Sequence, residues 1–412
     1  MANTISNIKD VGGVIAKAGA KVFEDNLGFA KSIGKADESD FNGKNGYKAG
    51  DTIYVNQPMR SRPTSAFDQT STIQDVVETT APLPLDIISS QAFEVNSEEF
   101  ATDIGMNRVM QRIIKPAAIS MAHDFENKLL AKAIDGVFNS VGTAGSNQFD
   151  VDSILAAREL LNKNLCPKDD KRFFLHDSTA GRKAVNARKS LFQSSAEIAK
   201  QYKQGFVGMA DGFTWLESEM LKTHTNGNDV AFEVRTTVST EGATSLVVEG
   251  LTTTTGTVTK GTVFTIDSVY AVHPQTGETQ SHLQQFVVTA DATADGSGYA
   301  TLSISPAIYT SASDGLQNVS AFPADGDTIT PVGSASTGYK QNLAFHESAF
   351  RMATVPLIMP KNAEFAAQET YKGMTFSVVY DWDQLKRSMV LRLDVLGGLC
   401  FERPEWAVKV TA

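Results

Sequence analysis

The sequence predicts an α+β protein with an all-β module inserted into it, and three observations carry that prediction. An apolar residue recurs every fourth position from Val109 to Val137, the mark of one long helix. Residues 225–338 differ in composition from everything on either side. Between an N-terminal helix and the long one lies a proline-bearing stretch that suits extended chain and forbids continuous helix.

Composition sets the outer bounds. The chain has 412 residues, 42% apolar and 20% charged, enough for about two or three domains with a large core. Its formal charge of −10 argues against a polycation that coats nucleic acid, while leaving room for a local basic face. No run of 18 apolar residues is present, so no membrane span is expected. The opening Met1-Ala2-Asn3-Thr4-Ile5-Ser6 lacks the basic-then-apolar order of a signal peptide. Cys166 and Cys400 are too few for a disulfide framework or a four-thiolate zinc site. The expectation is a soluble multi-domain protein from a reducing compartment.

The first element is an amphipathic helix. Ile8, Val11, Ile15, Ala18 and Val22 follow steps of three and four, one helical stripe. Its polar face mixes Lys9, Lys17 and Lys21 with Asp10, Glu24 and Asp25, which favours a protein partner over a membrane surface. Next, Gly50-Asp51 turns into the strand Thr52-Ile53-Tyr54-Val55; Pro58, Pro63, Pro82 and Pro84 follow, and 91–95 is extended again. A long two-stranded excursion fits, and since an isolated hairpin is marginal in water it should lie on something else.

The long helix is expected over 105–141, a rod of about 50 Å at ~1.5 Å per residue, with Pro116 marking a kink or an N-terminal break. A helix over 152–162, a strand over 172–175 and a helix over 178–188 come after it.

The module has only Arg235 and Lys260 as basic residues against 11 acidic ones, and 34 of its 114 residues are Ser or Thr. The rest of the chain is nearly neutral, with 35 basic and 36 acidic groups. Short β-rich runs at 244–248, 263–269, 285–289, 299–305 and 328–332, with turns at Lys260-Gly261 and Asp295-Gly296, predict a small barrel or sandwich. The Thr run 252–255 reads as an ordered strand, with a mucin-like linker as the alternative.

Catalytic templates fail. There is no phosphate-loop, dinucleotide or nucleophile-elbow pattern. His123, Asp124 and Glu126 invite a metal reading, but a shared helix face supplies two ligands at most, so a structural role is preferred. His176-Asp177-Ser178 holds three triad residue types, yet triad members must converge in space and sequence adjacency does not show that; a helix cap at Asp177 or Ser178 explains them equally. Cys166 before Pro167 and Cys400 in an apolar run read as inert. No enzymatic activity, cofactor or metal is expected. Arg108, Arg112 and Lys115 line one side of the long helix, and Arg182, Lys183, Arg188 and Lys189 cluster further on. Both read as solvated helix faces or as a non-specific phosphate-facing surface.

The order of parts resembles the tailed-bacteriophage major capsid proteins of the Hong Kong 97-type fold. Two stretches carry the likeness. Residues 205–218, Gly-Phe-Val-Gly-Met-Ala-Asp-Gly-Phe-Thr-Trp-Leu-Glu-Ser, look like the family's central segment; Arg392-Leu393-Asp394-Val395-Leu396-Gly397-Gly398 with Arg403-Pro404-Glu405-Trp406 is similar to its C-terminal strand and terminal segment. The acidic module is similar to the insertion domain of coat proteins from short-tailed Salmonella-type phages. The 239–245 turn is short where that group has a long charged loop bridging capsomers.

The resemblance implies an N-terminal arm (1–46), an extended loop or E-loop (47–96), and a peripheral domain with spine helix and the first part of an axial domain (97–224). An inserted β domain (225–338) and a return segment (339–412) complete it. It implies a structural protein that assembles with itself as hexamers and pentamers of an icosahedral shell in the virion, made in the host cytoplasm. A scaffolding protein, a portal and packaged double-stranded DNA are the implied partners, and no membrane. Candidate subunit contacts are Arg60, Arg62, Ile8, Val11 and Ile15; candidate DNA-facing residues are Arg108, Arg112 and Lys115; Gly212 and Phe213 form a candidate structural turn. The rival is a tail fibre or surface adhesin with the Thr-rich module as its binding head. The absence of repeats counts against it.

Overall fold

The computed structural model describes residues 11–36, 46–58, 60, 79–95, 110–145, 151–187, 208–311, 315–360, 365–383 and 388–411. Ile8, Arg62 and Arg108 lie outside them. The chain divides into two units. One comprises Met1–Val55, Thr80–Leu129 and Arg351–Cys400; the other comprises Asn56–Thr79, Leu130–Phe350 and Phe401–Ala412.

The first unit is built on a six-stranded sheet. Its order is Gly34–Lys35, Phe350–Val355, Ser388–Phe401, Met374–Asp383, Phe365–Tyr371, with Ile87–Val95 also pairing along Ser388–Phe401. Extended segments at Leu391, Leu393 and Val395 alternate into the core, the two-residue period of a strand.

The helix Val11–Asp25 packs on the hairpin Phe365–Tyr371/Met374–Asp383. Its buried face is Ala16, Ala20 and Phe23, while Ala18 and Val22 are half-buried, so the expected stripe is rotated from the face that the core uses. Small residues bring the backbone close to the sheet. A Cβ at Gly19 would stand 2.7 Å from the Phe376 ring, and Phe23 wedges against Phe125 and Phe376 at 5.7 and 6.0 Å. This part of the N-terminal segment is therefore docked on its own unit.

The long helix spans Lys115–Gly136, preceded by a π-type turn over Met110–Ile114. Pro116 falls in its first turn, where a missing N–H costs nothing. Ala117, Met121, Phe125, Leu129 and Ala133 of the four-residue repeat are buried, with Ile114, Leu130 and Ile134 beside them. At 22 residues it is about 33 Å long, shorter than expected. Residues Asn139–Val141 are a strand instead. The helix ends at Gly136, whose missing Cβ makes room for the Phe401 ring, and the chain beyond pairs in parallel with Ala407–Thr411.

Strands Thr52–Gln57 and Thr79–Pro84 form a two-stranded sheet. Ile53, Val55, Ala81 and Leu83 are buried on one face, and Tyr54 is 63% exposed on the other.

The second unit contains a seven-stranded sheet in the order Asn139–Val141, Ala407–Thr411, Gly338–His346, Arg172–His176, Phe213–Glu217, Met209–Ala210, with Thr223–Thr225 also on Gly338–His346. Helices Val151–Lys163 and Ser178–Ala187 complete its core, where Ile154, Leu161, Phe174, Phe213, Trp215 and Val408 meet. The same unit holds a closed six-stranded barrel, Phe232–Val234, Ala243–Glu249, Ala300–Ile308, Thr279–Val288, Val263–Val272, Thr328–Pro331. Alternate residues fill it: Leu246 and Val248, Phe264 and Ile266, Phe286 and Val288, Leu302 and Ile304. Closure removes the exposed edges that a flat sheet of this composition would present. The Thr run 252–255 is neither strand nor free linker. It is a turn, tied by Thr252 N and Oγ1 donating to the Asp229 carboxylate, both at 2.8 Å.

Candidate functional site

The constellations that resemble catalytic chemistry are each engaged in holding the fold. Glu126 is 5% exposed and accepts from Gly28 N at 2.9 Å and Phe29 N at 2.7 Å, closing the start of the short helix Phe29–Ser32. His123 on the same helix is exposed, and Asp124 pairs with Lys128 at 2.7 Å. Asp177 Oδ1 accepts from Ala180 N at 2.9 Å, the geometry of an N-cap for Ser178–Ala187. His176 Nδ1 lies 2.8 Å from the Asp177 carbonyl, and Ser178 N donates to Glu219. Both cysteines are buried, and burial pushes the Cys166 thiol up to about 11, away from thiolate chemistry. Among the described residues no group of three or more His, Cys, Asp or Glu side chains is placed to hold a metal ion. No described helix is long and apolar enough to cross a membrane.

Of the candidate contact residues, Arg60 is placed in an ion pair. Its Nη2 donates to Glu405 Oε1 at 2.8 Å, and Arg403 approaches the same oxygen at 3.7 Å while its other arm donates to the Pro58 carbonyl. Val11 and Ile15 lie in the first helix. Arg112 is exposed in the π-type turn, and Lys115 donates to Gln111 Oε1 at 2.8 Å one turn away.

Gly212 and Phe213 sit at a two-residue hairpin. Met209 pairs with Thr214 and Ala210 with Phe213, leaving Asp211 and Gly212 as the loop, with φ of 56° and 80°. Two successive positive φ angles define the turn type for which Asp-Gly is the favoured dipeptide, since its twist matches the strands. Phe213 is fully buried, 6.1 Å from Phe174.

One cluster escaped the sequence reading. Lys409, 2% exposed, donates to the Gly261 carbonyl at 3.0 Å. Near it Lys222 Nζ lies 2.7 and 2.9 Å from the two oxygens of Asp135, and His224 Nε2 is 3.3 Å from Thr262 Oγ1. Burial, with Lys409 nearby, pushes His224 down to about 4. The available signal was a lone lysine inside the apolar run Ala407-Val408-Lys409-Val410.

The chain matches the family model described as P22 coat protein, gene protein 5, over residues 4–411. No curated protein matches it. Among solved structures it is similar to one from Mycobacterium phage Che8, with 14% identity, 93% of this chain and 90% of that chain covered, and a TM-score of 0.46. The capsid of Ralstonia phage GP4 gives 7% identity, 95% and 90% coverage and a TM-score of 0.43. The CUS-3 coat protein I-domain gives 24% identity over 26% of this chain and 97% of that one, with a TM-score of 0.19. The family match alone carries the assignment. Because that match runs through nearly every residue, both units and the barrel included, the chain belongs to the P22 coat protein family and is a structural major capsid protein of a bacteriophage.

Proposed function

We propose that copies of this chain close into the hexamers and pentamers of an icosahedral head around packaged double-stranded DNA. Assembly takes place in the host bacterial cytoplasm, with a scaffolding protein and a portal. The barrel is an insertion domain of the kind found in short-tailed Salmonella-type phages. The observation that carries this reading is the family match over residues 4–411. Shell subunits need contacts in which one patch fits a different patch on the next copy. The two-stranded sheet Thr52–Gln57/Thr79–Pro84, with Tyr54 exposed, suits such a contact, since two strands alone are marginal.

On this reading Arg60, Arg62, Ile8, Val11 and Ile15 contribute to subunit contacts. Arg108, Arg112 and Lys115 face the genome and bind phosphate without sequence preference. The barrel, with 11 acidic and two basic residues in its segment, is kept away from the DNA by its charge. A tail fibre or adhesin is not favoured, since the match is to a coat family. Size-exclusion chromatography and negative-stain electron microscopy of the purified chain test the proposal. Shells, rings or polyheads are expected, and a discrete trimer under all assembly conditions would overturn it.

A further inference from the structure

The barrel is fastened to the sheet of its own unit by more than its linking strands. Ser140 N donates to Gln285 Oε1 at 2.7 Å, and Gln285 Nε2 donates back to the Ser140 carbonyl at 2.8 Å, so one barrel side chain satisfies both backbone groups of a strand residue. Phe138 packs with Val263 and Val287 of the barrel in a small apolar cluster. Beside these lies Lys409, whose one hydrogen bond among the described residues crosses to Gly261 in the turn that opens the strand Val263–Val272.

The charged and titratable groups around this seat come from four elements. The end of the long helix supplies Asp135, the chain before Thr223–Thr225 supplies Lys222, that strand supplies His224, and the strand Ala407–Thr411 supplies Lys409 itself. The barrel turn meets Lys409 with the Gly261 carbonyl, and Thr262 meets His224. On the same turn Lys260 is exposed, and its N–H donates to the exposed Asp291 at 2.6 Å. Lys222 occupies both oxygens of Asp135, so an ammonium on Lys409 is a second cation beside a carboxylate already paired. A buried charge with one carbonyl partner is poorly compensated, whereas a neutral amine donating to that carbonyl is not.

We propose that the seat is a proton-operated latch: the barrel is held against the sheet while Lys409 is neutral, and loosens when Lys409 takes up a proton and its ammonium is hydrated. Burial lowers the seated Lys409 to about 7 from an ordinary 10.5; Asp135 opposes the shift and Lys222 adds to it. The sign follows. The loosened form, with its lysine in water, binds the proton more tightly, so loosening grows as pH falls from about 10.5 to about 7. It changes tenfold per pH unit at most and is level below about 7, where both forms are protonated. The latch concerns one chain and does not depend on the assembly reading.

Hydrogen exchange of the Ser140 amide in the full soluble chain, corrected for intrinsic rate and referenced to barrel-core amides, reads the seat directly. Protection of Ser140 relative to Leu302 is expected to be level from pH 6 to 7 and to rise up to tenfold per unit from pH 7 to 9. Lys409→Met should give high, level protection, and Lys409→Arg low, level protection. A level profile in the parent chain overturns the proposal even if neither variant folds, and so does a slope that survives in Lys409→Met.

Discussion

Thr225 and Gly338, the first and last residues of the acidic segment, face each other as a pair in one antiparallel ladder. Asn226 reinforces the neck, its Nδ2 donating to the Val332 carbonyl at 2.9 Å. A segment whose ends are adjacent can be added to a fold without moving either flank.

Residues 225–338 expressed alone should therefore give a soluble, β-rich monomer that melts cooperatively. The closed barrel buries its own core around Phe264 and Phe286. A random-coil circular dichroism spectrum would show that the core needs the rest of the chain.

The Asp211-Gly212 turn predicts a graded series. A Cβ at Gly212 would meet Arg158 Nε at 3.4 Å, ordinary contact, so the obstacle to substitution is the positive φ alone. Gly212→Val should cost about 1–3 kcal/mol, and Gly212→Asn much less, because asparagine tolerates this conformation. Phe213→Ala leaves a cavity and should cost about 3–5 kcal/mol. Urea melts of the soluble chain measure all three, and equal losses for Val and Asn would refute the backbone argument.

Glu126 accepts from two backbone N–H groups, those of Gly28 and Phe29. Glu126→Ala should destabilise by about 1–3 kcal/mol, with Glu126→Gln intermediate because it keeps one acceptor. A neutral Glu126→Ala, measured in the same melts, would mean that water replaces the carboxylate at no loss.

His224 gives a pH signature distinct from that of Lys409. Its folded value of about 4 lies below the ordinary 6.5, so the unfolded chain binds the proton more readily. Its contribution is intact above pH 6.5 and is lost as pH falls toward 4, by about 3 kcal/mol at most. The stability of the parent relative to His224→Gln in urea should fall as pH drops from 6.5 to 4. A constant difference from pH 4 to 7 would show that His224 is protonated in the fold.

The elements themselves were legible in the sequence because they depend on local pattern. The four-residue repeat from Ala117 to Ala133 needs only helical geometry to become one face, and Leu246 and Val248 need only the strand period. The composition step at 225 and 338 marked a segment whose ends pair. Tertiary structure decided the rest. Which face of Val11–Asp25 is buried was set by Phe376 and Phe125, distant in sequence, and the helix expected to reach Val141 ends at Gly136, beyond which Asn139–Val141 pairs with Ala407–Thr411. Glu126 and Lys409 read as ordinary charged residues in sequence. Only folding brings Gly28 and Phe29 to one and the Gly261 carbonyl to the other, because the role of a buried polar side chain is defined by partners that the chain supplies from 98 and 148 residues away.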